Sequence, residues 1–198
     1  MAKFVQLPEA VLDAITKKIG PKLETVTGSL GAGPGDVALF ESTEVWMLEA
    51  SQVVLPGINK IGMLAKPTGR WHHQIKNVAG DSPLAYARTK PLGVTAVSWA
   101  VVGVFGAGGI ATKFDDAARW IDANVDGTID YEVRLLEIPA YLMFAFWLVA
   151  PSPSDASLIV MITAPEGSDL AAERTYTESE FLVLLRNESF VQGLEFED

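Results

Sequence analysis

The sequence predicts an α+β fold, a mostly antiparallel sheet with helices packed against it. Three observations carry that reading. Segments between residues 70 and 165 are strand-like, rich in β-branched and aromatic residues. Successive strands are joined by short turns, Pro151-Ser152-Pro153-Ser154-Asp155 among them, and short turns demand antiparallel pairing. Helical apolar stripes stand before, inside and after the strand region.

The elements follow in order. Pro8 suits a first helical turn, where its missing N–H costs nothing, and Val11, Leu12, Ile15 and Ile19 form one helical stripe. Gly20-Pro21 ends or kinks that helix. The glycine-rich segment 28–36 reads as a loop; no Lys-Ser pair follows to complete a phosphate-binding P-loop. Val37–Phe40 and Val45–Leu48 are strand-like but interrupted by charges, so the type of 37–55 stays open, and Pro56-Gly57 marks a turn. Arg70–Lys76 alternates, with Trp71, His73 and Ile75 on one face, and pairs as a hairpin with Leu84–Thr89, where Leu84, Tyr86 and Arg88 share a face. Val94–Phe105, apolar on both faces, reads as a central strand.

A helix over about 110–124 comes next, on the stripe Ile110, Phe114, Ala117, Ile121 and Val125; Trp120 lies off that stripe, beside Arg119. Strands return at Glu132–Ile138, Tyr141–Ala150 and Ser157–Thr163. Thr177 and Glu180 form a capping box that opens a C-terminal helix ending near Asn187. No repeat or linker divides the 198 residues, so they read as one domain, 1–198, with the N-terminal helix and loop of 1–57 a candidate for a loosely attached arm.

Composition narrows the function classes. A hydrophobic fraction of 49% with 20% charged residues excludes intrinsic disorder. Without cysteine there is no disulfide, thiolate nucleophile or cysteine metal site, and a cytoplasmic setting is favoured. The net charge of −10 is concentrated in residues 100–198, which carry 5 Lys/Arg against 17 Asp/Glu. Such a surface repels phosphate backbones, so nucleic acid is not an expected partner. Pro91 to Thr112 is uncharged and long enough to span a bilayer, but its valines and glycines read as a buried strand and turn, and membrane insertion is not expected.

Three constellations are candidates for chemistry. Asp122, Asn124, Asp126, Gly127 and Asp130 occupy positions one, three, five, six and nine of a loop that resembles an EF-hand calcium loop. The resemblance implies a calcium site on Asp122, Asn124, Asp126 and Asp130. Position twelve, where that loop carries a bidentate glutamate, is Val133 here, and Glu132 falls one residue early. The reading adopted is a polar turn, with a weak calcium site as the alternative. Val104-Phe105-Gly106-Ala107-Gly108-Gly109-Ile110-Ala111 resembles a dinucleotide-binding turn, with Gly106, Gly108 and Ala111 at the three small-residue positions between a strand and a helix. Against it, the downstream strands lack crossover helices. His72 and His73 are the only histidines; on a strand they point to opposite faces and do not share a metal. His73 could meet Tyr86 and Arg88 across the hairpin and form a pocket for an anionic ligand.

No Gly-x-Ser-x-Gly nucleophile elbow is present. The expectation is therefore a non-enzymatic binding or assembly module, working through a protein interface or a sheet pocket. A protein partner or a second copy is expected, and no cofactor. The alternatives are a small-molecule enzyme with a nucleotide cofactor at 106–111 and a calcium-binding protein through 122–132.

Overall fold

A computed structural model describes residues 2–4, 7–27, 37–78, 83–92, 98–106 and 109–191. The chain is α+β, and the described residues form four helices and eight strands, mostly antiparallel. In chain order they are α1 (Glu9–Thr27), β1 (Val37–Met47), α2 (Ala50–Val53), β2 (Lys66–Asn77), β3 (Pro83–Pro91), β4 (Trp99–Gly106), α3 (Gly109–Asn124), β5 (Glu132–Ile138), β6 (Met143–Val149), β7 (Leu158–Thr163), β8 (Thr175–Thr177) and α4 (Glu178–Val191). Hydrogen bonding links the strands in the order β4-β3-β2-β1-β5-β6-β7-β8. Two compact units divide the chain: unit 1 holds Met1–Lys3, Trp46–Thr68 and Ala117–Asp198, and unit 2 holds Phe4–Val45 and Gly69–Asp116.

Unit 2 is built on the hairpin read from the alternation of 70–76 and 84–89. β2 and β3 are antiparallel, with His72 opposite Arg88 and His73 opposite Ala87. Ile75, Ala85, Ala87 and Trp99 pack with Ile15, Ile19 and Leu23 of α1. α1 passes through Pro21 instead of stopping there. Beyond the proline Leu23 stays buried in that core, a contact that opposes the roughly 3 kcal/mol a proline costs inside a helix. The helix is thereby part of the core of unit 2; the glycine-rich loop 28–36 lies outside the described residues.

β4 is not central. It stands at one end of the strand order, antiparallel to β3. The part of the predicted strand before it, 94–97, lies outside the described residues. Its apolar sequence comes from one covered face, where Trp99, Val101 and Val104 join the α1 core, while Val102 and Phe105 are exposed. Pairing shifts from Arg88↔Gly103 to Thr89↔Val101, which leaves Val102 as the extra residue of a bulge.

Unit 1 is a meander of β5, β6, β7 and β8, each antiparallel to the next. Leu136, Ile138, Trp147, Ile159 and Met161 pack with Phe181, Leu182 and Leu185 of α4. The open stretch 37–55 resolves into one strand, β1, and the single turn of α2. Pro139–Tyr141 forms a 3-10 turn and Leu142 takes φ 53°, so β6 starts at Met143 rather than at Tyr141. The capping box forms as the sequence requires: the Thr177 N–H donates to Glu180 Oε2 at 2.8 Å, and the Glu180 N–H donates to Thr177 Oγ1 at 3.2 Å. α4 continues past Asn187 to Val191. Among the described residues no helix is long and apolar enough to cross a membrane.

Candidate functional site

The β5–β6 register sets Arg134 opposite Trp147. The Arg134 guanidinium lies over two rings, 4.4 Å from the centre of Trp46 and 5.1 Å from that of Trp147. The two indoles meet edge to face at 5.4 Å. Arg134 Nε donates to Glu132 Oε1 at 2.8 Å, which fixes the guanidinium along the strand. Arg134 and Trp147 of this stack line an open groove of about 730 Å³ in unit 1. One wall is the 3-10 turn at Ile61–Met63 with Asn59 and Lys60, another is the β6–β7 loop Ala150–Ser157, and the third is the start of α4.

The walls follow from local sequence. Pro151 and Pro153 stiffen the β6–β7 loop, where Ser152 and Ser154 hydroxyls are 2.8 Å apart. Gly62 leaves the floor open: a Cβ there would touch the Trp147 ring at 3.6 Å, an ordinary contact. Glu178, the first residue of α4, faces the Trp147 indole and the backbone of Ile61 and Gly62. Burial pushes its carboxyl above the usual range, against the opposing pull of those donors and of the Lys60 charge. The groove thus joins an apolar floor to a rim of both signs, Lys60 and Arg134 against Asp155 and Glu178.

Unit 2 holds a buried polar layer on each face of β2. On one face His72 stacks on Tyr86 at 5.2 Å and lies 4.2 Å from Phe114, and Tyr86 stacks in turn on Phe105 at 4.8 Å. Further along that face Lys76 Nζ contacts Asp115 Oδ1 at 2.7 Å and Glu41 Oε1 at 3.0 Å. On the other face His73 Nδ1 lies 2.9 Å from Ser42 Oγ and Nε2 lies 2.7 Å from Thr89 Oγ1. Burial holds His73 down at about 3, with the Arg88 charge adding to it. His72 is lowered well below its ordinary value by burial, then by Arg88 and His73, with Gln74 opposing.

The anion pocket expected from His73, Tyr86 and Arg88 does not assemble. Tyr86 and Arg88 share a face, but the register places His72, not His73, on it. The strand parity was legible and the pairing was not, and a one-residue offset exchanges the faces.

The dinucleotide-like turn follows an antiparallel strand. The strand before it, β4, is antiparallel to β3 at the end of the order, where the motif needs a parallel βαβ unit. Gly108 lies outside the described residues. Ala111 is buried within α3, and its carbonyl accepts from Gln74 Nε2 at 2.7 Å. Gly106 is accounted for by packing, since a Cβ there would stand 2.9 Å from Val26 Cγ1.

In the calcium-like loop the polar side chains make local contacts. Asn124 Nδ2 donates back to the Trp120 carbonyl, Asp126 Oδ1 accepts from the Thr128 N–H at 2.8 Å, and Asp130 pairs with Lys3 at 2.8 Å. Asp122 has its place in the last turns of α3. Among the described residues no group of three or more His, Cys, Asp or Glu could hold a metal ion. Trp120, singled out beside its helix stripe, is half-buried.

No family model, curated protein or solved structure matches this chain. The groove residues Arg134, Trp147 and Glu178 were missed in the sequence. The one signal that could have found them is the cross-strand pairing of β5 with β6, which sets a cation beside an indole at Arg134 and Trp147.

Proposed function

We propose that the protein is a non-catalytic binding module whose ligand site is the groove of unit 1 beside Trp147, and that its ligand is a peptide segment of a protein partner. The observation that carries this reading is the groove itself. At about 730 Å³ it falls within the usual range for ligand sites. Its apolar floor and its rim of both signs suit a chain that alternates apolar and polar groups. Neither histidine lines it. The absence of cysteine supports a cytoplasmic setting for the partner.

Gly62 supplies the test. Its backbone is free of positive φ, so Gly62→Leu adds a side chain against the Trp147 ring without strain and fills the floor. A random dodecapeptide library selected on the wild type, with tryptophan fluorescence as the affinity readout, should yield peptides that lose at least tenfold in affinity for the variant at unchanged melting temperature. Peptides that bind both proteins equally, or no enrichment at all, refute the groove. A second copy of the chain is the alternative partner, because Val54, Leu55 and Met63 of unit 1 are exposed. Sedimentation velocity on wild type and Met63→Glu separates the two: a dimer dispersed by the variant would favour self-association.

A further inference from the structure

We infer that unit 2 is an acid-sensitive element, which opens when its two histidines take up protons while unit 1 keeps its fold. Both histidines of the chain lie in unit 2, adjacent on β2 and buried on opposite faces of it. His72 is held between the rings of Tyr86 and Phe114, and His73 is held between Ser42 and Thr89. Among the described residues, the partners of the two imidazoles are rings and hydroxyls, not carboxylates. The charged groups on the His72 face are Arg88 of β3, Lys76 of β2 with its partners Glu41 of β1 and Asp115 of α3; on the His73 face α1 packs through Ile15, Ile19 and Leu23, and its Lys18 is spent on the Trp99 carbonyl. A proton on either ring is therefore a buried charge facing aromatic rings, hydroxyls and a nearby guanidinium.

The sign is fixed by the direction of the shifts. A histidine lowered in the folded state binds its proton more tightly when unfolded, so stability is complete above the unfolded value near 6.5 and is lost as the pH falls toward the folded value. For His73, with a folded value of about 3, the opening equilibrium at pH 5 rises by about 25-fold over pH 7. Unit 1 responds the other way. Its half-buried Glu178 is raised, so lowering the pH through that range favours the folded form.

Amide hydrogen exchange of the full chain, read by mass spectrometry at pH 7 and pH 5 and corrected for intrinsic rates, tests this. Exchange in β2 and β3 should accelerate at least tenfold at pH 5, and exchange in β6 and β7 should not. Equal acceleration in both units, or in neither, overturns the inference. His72→Phe keeps a ring between Tyr86 and Phe114, and His73→Gln keeps a polar side chain between the two hydroxyls. Each should lessen the acid response of β2 and β3, and the pair should abolish it. Retention of the full response in a folded double variant also overturns the inference. If the double variant does not fold, the wild-type pattern and its reversal on return to pH 7 decide.

Discussion

Lys76 is the most heavily committed side chain of unit 2, and its removal gives the sharpest test of how that unit is held. The Lys76 and Asp115 side chains are 6% and 3% exposed and meet at 2.7 Å, with Glu41 at 3.0 Å on the other side of the ammonium. Lys76→Met keeps the length and apolar stem of the side chain but leaves Asp115 buried without its cation. Removing one member of a buried pair costs about 3–5 kcal/mol, because the remaining charge stays desolvated. Glu41 is 24% exposed and can turn toward water, so the lower half of that range is expected, about 3–4 kcal/mol.

Asp115→Leu made in the same chain removes the stranded charge. The double variant should then recover much of the loss, with a coupling of about 2 kcal/mol between the two positions. Urea unfolding at pH 7, followed by tryptophan fluorescence and by circular dichroism, measures all three proteins. A single-variant loss below about 1 kcal/mol, or strict additivity in the double variant, would refute the view that the triad acts as one unit. The same triad sets an alkaline limit. Burial lowers the Lys76 ammonium, but hydrogen bonds to Asp115 and Glu41 outweigh it and hold the group above its ordinary value. A raised lysine contributes stability that is complete below the unfolded value near 10.5 and is lost as the pH climbs through the folded one. Wild type should accordingly weaken above pH 10.5 by this route, and Lys76→Met should not.

Three further outcomes are expected. Thr177→Ala removes the acceptor of the Glu180 N–H and should cost about 1 kcal/mol in urea unfolding. Asp130→Asn breaks an ion pair whose side chains are both about 60% exposed, so the urea midpoint should hardly move, and a clear loss of stability would mean that the loop is more than a turn. Gly106→Ala brings a methyl to 2.9 Å from Val26 Cγ1 and should lower stability by about 1 kcal/mol through crowding, without altering any response to nicotinamide cofactors in a thermal shift.

Local devices were legible in the sequence because they depend on neighbours a few residues apart. The Thr177–Glu180 box and the α3 stripe needed no knowledge of the rest of the chain. The β2–β3 hairpin was legible too, yet the site inferred from it was not. Alternation says which residues of one strand share a face; only register says which face of the next strand they meet. His73 was matched to Tyr86 and Arg88 on parity alone, and the pairing His72↔Arg88 moved the company to its neighbour. The same limit hid the place of β4. The uncharged run Val94–Phe105 reads as a strand covered on both sides, but in β4 Trp99, Val101 and Val104 pack on one face, and Val102 at the bulge is exposed.

That limit also separates the three sequence candidates from the groove. Two candidates are runs of adjacent residues and the third joins His73 to Tyr86 and Arg88 across one hairpin, and their residues make local contacts: Asp126 accepts from Thr128, Gly106 makes room for Val26, and His73 bridges Ser42 and Thr89. The groove instead draws Lys60, Arg134, Trp147 and Glu178 from the 3-10 turn region, β5, β6 and α4, separated by as many as 118 positions in the chain. No spacing rule reaches across such separations. Only after the β5–β6 register is known does Arg134 acquire its indole partner, and only then does the chain offer a concave surface with an apolar floor and a charged rim. On the proposed reading, a ligand of the groove would read tertiary structure, and unfolding unit 1 should abolish its binding even where every groove residue remains in the chain.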